Sequence, residues 1–359
     1  MHPRAPAPPS LSTVADRVDE RLAALFAAET TRWRQVDDAL VAPLEALRRL
    51  VEAGGKRLRP AFCHWAFVGA GGDPDDPRIV DAGAAFEMLH AFALVHDDVM
   101  DDSATRRGRR AAHLVFADEH AGGRWRGEAR RFGEGAAILA GDVAHVYADL
   151  LLGDVPPDAA RVWHELRLEL NVGQYLDLLG TARGDRDLEL AHRIARYKSG
   201  KYTIERPLHV GAALAGRLGD LEGPLSAYGD PLGEAFQLRD DVLGAFGDPA
   251  RTGKPVGQDL REGKPTPLLA LAHRRLTGDG NGATGPARVL DRVGDPALSD
   301  DDVARIQQVL VDTGALDAVE ALIDSLTTRA VEAIEATEVT PEARDELVDL
   351  AWFVAGRDA

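Results

Sequence analysis

The stretch from Ile79 to Met100 constrains the fold of this chain more than any other feature, because it is apolar on most sides when it is drawn as a helix. A helix of this kind is usually central and buried beneath other elements. Much of the remaining chain also repeats apolar residues at helical spacing, as at Leu40, Leu44 and Leu47. Segments that alternate with period two are scarce, so the sequence predicts an all-α fold without a sheet.

The domain organisation follows from where the helical patterns are interrupted. The chain has 359 residues, a length that permits one large domain or two smaller ones. Its Gly- and Pro-rich segments, of which 278–286 is the most linker-like, have helical patterns on both sides. Residues 1–10 are rich in proline and alanine. We therefore predict a disordered lead-in over residues 1–15 and a single domain over residues 16–359.

Charge and cysteine content narrow the class of protein. The formal net charge of −17 argues against a nucleic-acid partner, which would require a basic face. The single cysteine, Cys63, excludes an intramolecular disulfide and fits a reducing compartment. No uninterrupted apolar run reaches the ~18 residues of a membrane span, and the N-terminal residues lack the apolar core of a signal peptide. We expect a cytoplasmic protein without a membrane span.

A group of carboxylates stands at the end of the apolar stretch. On a helix, Asp97 and Asp101 lie one turn apart on one face, and Asp98 and Asp102 form an adjacent row. Such carboxylates repel one another unless a cation joins them, and magnesium prefers oxygen ligands that it shares with substrate phosphates. A solvated acidic helix end is the alternative, since acidic pairs are common in this chain. The arginines that follow at 106–107 favour the metal site.

A second acidic group ends another helical pattern at Asp240 and Asp241. The position one turn beyond Asp240 is Gly244, so this group offers fewer ligands than the first. Its alternative interpretation is a polar helix end before the loop at Gly247. Read alone, the two interpretations have similar weight.

Cations precede the first acidic group and follow both acidic groups along the chain. Glycines let the backbone approach a phosphate closely, and arginine can grip phosphate oxygens with two hydrogen bonds. Singly, each of these cations fits an ordinary surface position, but the alternation of acidic and basic groups indicates a metal and phosphate site. The basic residues concerned are Lys56, Arg57, Arg59, Arg106, Arg107, Lys198, Lys201, Lys254 and Lys264.

Taken in order, these segments resemble the trans-isoprenyl diphosphate synthase family, also called the polyprenyl synthetases, and among them a geranylgeranyl diphosphate synthase. The likeness rests on GGKRLRP at 54–60, DDVMD at 97–101 with RRG at 106–108, GQYLD at 173–177, YKSGKYT at 197–203 and FQLRDD at 236–241. It implies packed helices around a deep cavity, a homodimer, and two acidic motifs that face each other across the cavity mouth. The implied reaction joins isopentenyl diphosphate head to tail to an allylic diphosphate.

The resemblance also implies roles for individual residues. It assigns three magnesium ions per active site to Asp97, Asp101 and Asp240, with Asp98 and Asp241 in support. It assigns the allylic diphosphate to Arg106, Lys198 and Lys254, and isopentenyl diphosphate to Lys56, Arg59, His90 and Arg107. It places Ser199, Gln237, Gln174 and Asp177 along the path of the carbocation and the allylic end. Gly244 departs from the acidic residue that often ends the second motif, which leaves one metal's ligand set open.

Product length is expected to depend on the helix before Asp97. The small Ala93 lies one turn back, Phe92 is bulky, and Leu89 lies two turns back. In the family an aromatic pair at the positions of 92 and 93 closes the cavity early. Here only Phe92 is aromatic, so the resemblance implies the twenty-carbon product, with Phe92 forming part of the floor. A farnesyl or longer-chain diphosphate synthase is the alternative.

Three other functions compete with chain elongation. A class I terpene cyclase would share the helical fold and the first acidic motif, but FQLRDD and GGKRLRP favour elongation. A non-catalytic partner subunit would typically lose acidic motifs, whereas the first motif is intact here. A His-Asp metal phosphohydrolase is suggested only by the dipeptide His96-Asp97, and its distant ligands cannot be identified.

Overall fold

The computed structural model describes residues 6–185, 187–247, 256–277, 285–295 and 297–357. Helices dominate these residues, and the all-α prediction is confirmed apart from one small hairpin. The helices are α1 (Pro9–Arg34), α2 (Val41–Glu52), α3 (Leu58–Gly69), α4 (Pro77–Met100), α5 (Ala112–Gly122), α6 (Ala129–Leu152), α7 (Pro157–Arg183), α8 (Leu188–Ile194), α9 (Arg206–Leu214), α10 (Leu218–Phe246), α11 (Gln258–Glu262), α12 (Pro267–Thr277), α13 (Gly285–Leu290), α14 (Asp300–Asp312), α15 (Ala315–Glu335) and α16 (Pro341–Gly356). A 3₁₀ helix spans Asp38–Leu40, and a π-helix spans Ala195–Glu205.

Helix α4 occupies the centre, as its apolar composition predicts. It begins where the Asp76 side chain accepts a hydrogen bond from the Arg78 amide, and Pro77 fits the first turn because it needs no amide donor there. Phe86, Met88 and Leu89 are fully buried. Helices α1, α3 and α6 cover α4, so the acidic end at Asp97 is held by a rigid, fully packed element.

Helices α4 and α6 are also long and apolar enough to cross a membrane on length and composition alone. This is weak grounds for a span, because the core helix of a globular protein meets the same test. In α4, 67% of the most apolar window is buried within the fold, whereas in α6 the share is 39%. Helix α6 therefore keeps a substantial apolar surface that the rest of the chain leaves uncovered.

The buried apolar residues form two clusters that meet at α10. The larger cluster lies among α1, α3, α4, α6, α7 and α9, and the smaller one lies among the C-terminal half of α10, α12, α14 and α15. Tyr228 in α10 is fully buried and donates a hydrogen bond to the Leu347 carbonyl of α16. Helix α10 thus joins the two cores and carries Asp240 and Asp241 near its end.

The N-terminal boundary of the fold corrects the sequence-based prediction. Helix α1 begins at Pro9, and its Leu11, Val14 and Val18 are buried against the core. The prediction of a disordered lead-in through residue 15 is therefore wrong for residues 9–15. Proline and alanine dominate the composition there, but proline is tolerated in the first helical turn, and the apolar stripe of α1 begins within that turn.

The one hairpin lies just after α4. Strands β1 (Thr105–Arg106) and β2 (Arg109–Arg110) pair antiparallel, with Thr105 opposite Arg110. Arg107 and Gly108 between them have φ values of 52° and 70°, the left-handed conformations that a tight two-residue hairpin turn requires. Period-two patterning does not detect strands of two residues, and this turn fixes the positions of Arg106 and Arg107.

Candidate active site

A cavity of about 440 Å³ lies between α4, α7, the π-helix, the end of α10 and the segment after α11. Helix α4 presents one stripe to it, with residues spaced three or four apart as expected for a single helical face. This stripe consists of Glu87, His90, Ala93, Leu94 and Asp97. The helical stretch that the sequence marks as central thus forms one wall of the cavity.

Asp97 is the most heavily contacted carboxylate of the first acidic motif. Its Oδ1 accepts hydrogen bonds from Gln174 Nε2 at 3.0 Å and Lys198 Nζ at 3.1 Å, and its Oδ2 accepts one from Arg106 Nη2 at 3.1 Å. Burial alone would raise the pKa of Asp97, but Lys198, Lys264 and Arg106 outweigh it and hold that pKa well below its usual value. Asp97 is therefore an anion at neutral pH.

Asp98 and Asp101 have different surroundings from Asp97. Asp98 is buried, accepts a hydrogen bond from Arg106 Nε at 2.7 Å and does not line the cavity as described. Burial raises the pKa of Asp98 to about 6. Asp101 follows the last residue of α4, and Lys264 Nζ lies 3.2 Å from its Oδ2. Of these three carboxylates, only Asp97 is described as lining the cavity. Asp101 contacts Lys264, which lines it, and Asp98 orients Arg106, which lines it as well.

Lys198 is positioned by a close approach between α7 and the π-helix. A side chain at Gly173 would meet the Lys198 backbone nitrogen at 2.3 Å, so only glycine allows this contact. The approach places Lys198 Nζ 2.5 Å from Asp177 Oδ2 as well as beside Asp97. Gly173 and Asp177 are the first and last residues of GQYLD, which explains why this motif and the Lys198 segment form one unit.

The second acidic group lines another wall of the cavity. Asp240 pairs with Arg357 from the C-terminal end of the chain. Asp241 is buried and accepts a hydrogen bond from Gln237 Nε2 at 2.7 Å, while its Oδ2 has no hydrogen-bond partner among the described residues. Burial raises the pKa of Asp241 well above its usual value. An unpartnered buried carboxylate oxygen at this place is a ready ligand for a cation.

Gly244 leaves room for a third acidic side chain on this wall. A Cβ atom at Gly244 would lie 1.8 Å from Asp259 Oδ2, so the Asp259 carboxylate occupies the space beside this position. Asp259 lines the cavity together with Asp240 and Asp241. The missing acidic residue at the end of the second motif is thus replaced in space by one from α11.

The cations assigned to isopentenyl diphosphate gather at the other side of the cavity, where Lys56, Arg59, His90 and Arg107 all line it. Burial and the neighbouring Arg357 lower the pKa of Lys56 to about 8, although Asp240 opposes the shift. Burial and nearby arginines lower the pKa of His90 well below its usual value, so its ring is neutral at pH 7. This side of the cavity is a cationic pocket with one neutral imidazole.

Arg57 holds this cationic segment in place. It has a left-handed φ of 49° before the first residue of α3, and its side chain is buried. Its guanidinium donates to Asp19 Oδ1 at 2.9 Å, Glu87 Oε2 at 2.6 Å and the Val51 carbonyl at 2.9 Å. These contacts fix the backbone of the segment that carries Lys56 and Arg59, both of which line the cavity.

The remaining assigned residues differ in whether they line the cavity. Ser199, Gln237, Gln174 and Asp177 line the cavity. Lys254 lies outside the described residues. Phe92 stacks on His145 at a centroid distance of 4.8 Å and contacts His96, away from the lining of the cavity as described.

The cavity lining thus includes Ala93 but neither Phe92 nor Leu89, and the assignment of those two residues to chain length stays a prediction. The physical reason for this lining is helical rotation. Neighbouring residues on α4 point about 100° apart, so Phe92 turns towards α6 when Ala93 faces the cavity. Leu89 is likewise turned into the core and is fully buried.

Five charged residues of the cavity lining have no role assigned from the sequence. They are Arg57, Glu87, Asp259, Lys264 and Arg357. Lys264 is visible in the sequence as one more cation after the second motif, but the approach of Asp259 to Gly244 joins two different helices and has no signature in residue spacing. Arg357 stands at the far end of the chain, and its side chain lies over the Phe236 ring at 3.9 Å.

The donor set fits magnesium only in combination with phosphate. Carboxylate oxygens are the ligand type that magnesium prefers, and Asp241 Oδ2, which has no hydrogen-bond partner among the described residues, could serve as one of these ligands. In the described part of the chain, however, no three acidic, histidine or cysteine side chains converge as a ready-made metal centre. Magnesium commonly completes its shell with waters and substrate phosphates, so this geometry suits ions that arrive with a diphosphate.

Comparison with known proteins agrees with this geometry. The family model described as polyprenyl synthetase matches residues 42–283. A geranylfarnesyl diphosphate synthase of Aeropyrum pernix is 33% identical over 84% of this chain and 89% of that protein. A (2E,6E)-farnesyl diphosphate synthase of Mycobacterium tuberculosis is 31% identical over 85% of this chain and 80% of its own length.

A solved structure extends the likeness to the fold. The crystal structure of a geranylgeranyl pyrophosphate synthase from Corynebacterium glutamicum, complexed with isoprenyl diphosphate and magnesium, superposes with a TM-score of 0.90 at 36% identity. The superposition covers 96% of this chain and 99% of that one.

Proposed function

We propose, on the premise that this chain belongs to the polyprenyl synthetase family and is a trans-prenyl diphosphate synthase, that its reaction depends on magnesium and that its main product is geranylgeranyl diphosphate. The observation that carries the magnesium proposal is that two acidic walls share one cavity. Asp97 lies on one wall and Asp240, Asp241 and Asp259 lie on the other, while Asp101 contacts Lys264 of the lining.

The allylic diphosphate is proposed to bind between these walls. Magnesium, when bound, would neutralise the diphosphate and stabilise its negative charge as it leaves. Asp97 and Asp101 would hold the ions on one side, and Asp240 with Asp259 on the other. Lys198 and Arg106 already lie beside Asp97, and Lys264 beside Asp101, so the same cations can contact the phosphate oxygens once the ions occupy the carboxylates.

Cleavage of the allylic C–O bond leaves the electron pair on the diphosphate and positive charge on the carbon. Fixed cations such as Lys198 and Arg106 stabilise the departing oxygen because they need little reorganisation. Water must be kept from the carbocation. The carbonyl of the Gln237 side chain, the Ser199 hydroxyl and the buried surroundings of Asp177 are proposed to shield it.

Isopentenyl diphosphate is proposed to bind at the cationic pocket of Lys56, Arg59 and Arg107. The neutral His90 can donate one hydrogen bond to a phosphate oxygen without adding charge. From this position the double bond of isopentenyl diphosphate attacks the carbocation and forms the new C–C bond. The proton then lost from the adjacent carbon is proposed to pass to the departing diphosphate, which carries the negative charge left by the broken C–O bond.

The twenty-carbon product is proposed on two grounds. Ala93, one turn before Asp97, presents only a methyl group to the cavity wall, so the wall is not closed by an aromatic ring at that level. The similar synthase of Corynebacterium glutamicum is named for geranylgeranyl pyrophosphate. Farnesyl and longer products are the alternatives, because relatives named for farnesyl and geranylfarnesyl diphosphate are about as similar.

A homodimer is proposed from an exposed apolar face on α6 and α7. We call this the α6–α7 face; it consists of Ile138, Leu139, Val146, Leu150, Leu168, Val172, Tyr175 and Leu178, all of them exposed. A contiguous apolar surface of this kind is typical of a protein–protein interface. We further propose that the enzyme works in the cytoplasm, since its only cysteine, Cys63, is buried as a free thiol.

The experiment is an elongation assay with purified protein, isopentenyl diphosphate and each allylic primer in turn, with and without magnesium. We expect elongation that stops when a chelator removes the metal and returns when magnesium is restored. Incubation with geranylgeranyl diphosphate alone is the control for a terpene cyclase. Hydrocarbon formed in that control, or elongation that persists in the chelator, would contradict the proposal.

A further inference from the structure

A basic and aromatic corner stands out on the surface of this acidic protein. We call residues 123–132, between the end of α5 and the start of α6, the basic corner. It contains Arg124, Arg126, Arg130 and Arg131 against the single carboxylate Glu128, a net charge of +3 (four minus one) in a chain whose net charge is −17. The sign of the charge is therefore reversed locally.

The basic corner presents two aromatic rings at the protein surface. Trp125 and Phe132 are 47% and 40% exposed, and their ring centroids lie 5.2 Å apart. His120 contacts both rings, and its Nε2 lies 3.0 Å from the Arg126 carbonyl. Because the two rings pack against each other and against His120, these contacts hold them at the surface.

The arginines of the basic corner divide into paired and unpaired residues. Arg130 contacts Glu134 at 2.6 Å and Asp102 at 4.0 Å, and Arg131 lies 3.7 Å from Glu134. Arg124 and Arg126, on either side of Trp125, form no ion pair with any residue that the structure describes. Two uncompensated guanidinium groups thus flank the exposed indole.

We propose that the basic corner docks the enzyme onto an anionic lipid surface. Tryptophan favours the boundary between water and lipid, and each basic residue near an anionic membrane strengthens binding about fivefold. The acidic remainder of the protein does not prevent this, because charges farther than the Debye length of about 8 Å from the lipid are largely screened at physiological salt. Arginine and an exposed ring in one loop match a lipid surface in both charge and polarity.

The basic corner lies close to the cavity, so docking at the corner would affect where the cavity stands relative to the lipid. Arg130 lies 4.0 Å from Asp102, which directly follows Asp101, and Asp101 contacts Lys264 of the cavity lining. Docking would therefore hold the rim of the cavity near the lipid. If the proposed function is right, the product joins an apolar chain to a charged head, and release at a lipid surface would keep that chain out of water. Docking itself does not rest on the proposed function.

The test is flotation of the full-length protein with vesicles of phosphatidylcholine alone and of phosphatidylcholine with phosphatidylglycerol. We expect binding only to the anionic vesicles, weakened by added salt, and at least a tenfold lower partition coefficient for Arg124→Glu/Arg126→Glu. Trp125→Ser is expected to weaken binding as well. Arg288→Glu/Arg329→Glu, which changes two exposed arginines elsewhere, is the matched control and is expected to bind as the unchanged protein does.

Elongation activity without vesicles verifies that each variant is folded, since none of these residues lines the cavity as described. Absence of binding to anionic vesicles would overturn the proposal, and so would equal binding by the corner and control variants. A corner variant that turns a dimer into a monomer would also overturn it. Phe132 continues the spacing of Leu139 and Val146 along α6, so that result would assign the corner to a contact between two copies of the chain.

Discussion

Gly244 and Asp259 show how single residues share one task in the second acidic group. The motif lacks an acidic side chain one turn beyond Asp240, and the structure fills the place beside Gly244 with the Asp259 carboxylate. The sequence reveals the gap at Gly244 but not its replacement, because the replacement comes from another helix. At this scale the site depends on where carboxylates meet in space rather than on their order in a motif.

The exchange of these two residues is the first prediction. Asp259→Ala should lower kcat at least tenfold if its carboxylate helps to hold magnesium, and Gly244→Asp alone should also lower it because the new side chain collides with Asp259. The double variant Gly244→Asp/Asp259→Ala should regain much of the activity, since it restores one carboxylate to the same space. Magnesium titration of kcat measures this. Additive losses in the double variant would show that the two positions do not share a role.

The second prediction concerns pH and Lys56. Its pKa of about 8 means that its positive charge is present below pH 8 and is lost as the pH rises through that value. We expect kcat/KM for isopentenyl diphosphate to fall above pH 8, by about tenfold per pH unit for a single essential proton. Lys56→Arg should move the fall to higher pH, because arginine stays charged. Identical pH profiles for the two proteins would exclude Lys56 as the titrating group.

The third prediction concerns product length at Ala93. A phenyl ring at this position would enter the cavity from the wall one turn below Asp97. Ala93→Phe is therefore expected to shorten the main product, whereas Ala93→Ser, which adds one small atom, should leave it unchanged. Chromatography of the dephosphorylated products measures chain length. A product of unchanged length from Ala93→Phe would place the limiting wall elsewhere.

At the scale of secondary-structure elements, the contact between α7 and the π-helix governs the site. The π-helix spans Ala195–Glu205 and carries Lys198; such helices are rare and often occur at functional sites. Its position depends on the backbone contact at Gly173 and on a second close approach between Gly200 and Gly233 of α10. Close contacts with two helices, α7 and α10, thus fix the position of the π-helix.

Substitution of Gly173 is the fourth prediction. Gly173→Ala forces the two backbones apart, which we expect to cost roughly 1–3 kcal/mol of stability. A displacement of Lys198 by about 1 Å should also lower kcat by up to about a hundredfold. Gly219→Ala is the matched control, because no atom lies within 4 Å of its added methyl group, and it should be neutral or slightly stabilising. Thermal unfolding and steady-state kinetics test both, and equal behaviour of the two variants would contradict the role of the contact.

At the scale of the whole molecule, much could be predicted from the sequence, and the failures have physical causes. Helical periodicity predicts the all-α fold, and the apolar residues on most sides of α4 predict its central position, because a helix buried on all sides needs apolar residues on all sides. The start of α1 was missed because Pro9 suggested an irregular segment. Arg357 was missed because its approach to Asp240 joins residues far apart in the sequence. Contacts that depend on tertiary packing have no local signature.

The fifth prediction concerns the oligomer. Leu139 of the α6–α7 face is 64% exposed, so Leu139→Glu would bury a charge in the proposed dimer and should yield a monomer at micromolar concentration. Val311→Glu is the matched control, because Val311 is an exposed apolar residue of α14 outside that face. Light scattering after size-exclusion chromatography determines the mass. A monomeric unchanged protein, or a dimeric Leu139→Glu variant, would exclude this face as the interface.

The measurement that tests the central claim most directly is the mass of the product formed from farnesyl diphosphate and excess isopentenyl diphosphate in the presence of magnesium. The proposed function predicts one addition and an accumulation of the twenty-carbon diphosphate, with no product when Asp97 is changed to Asn. A main product of twenty-five carbons or more would contradict the assigned chain length. Elongation that is undiminished in Asp97→Asn would contradict the site itself.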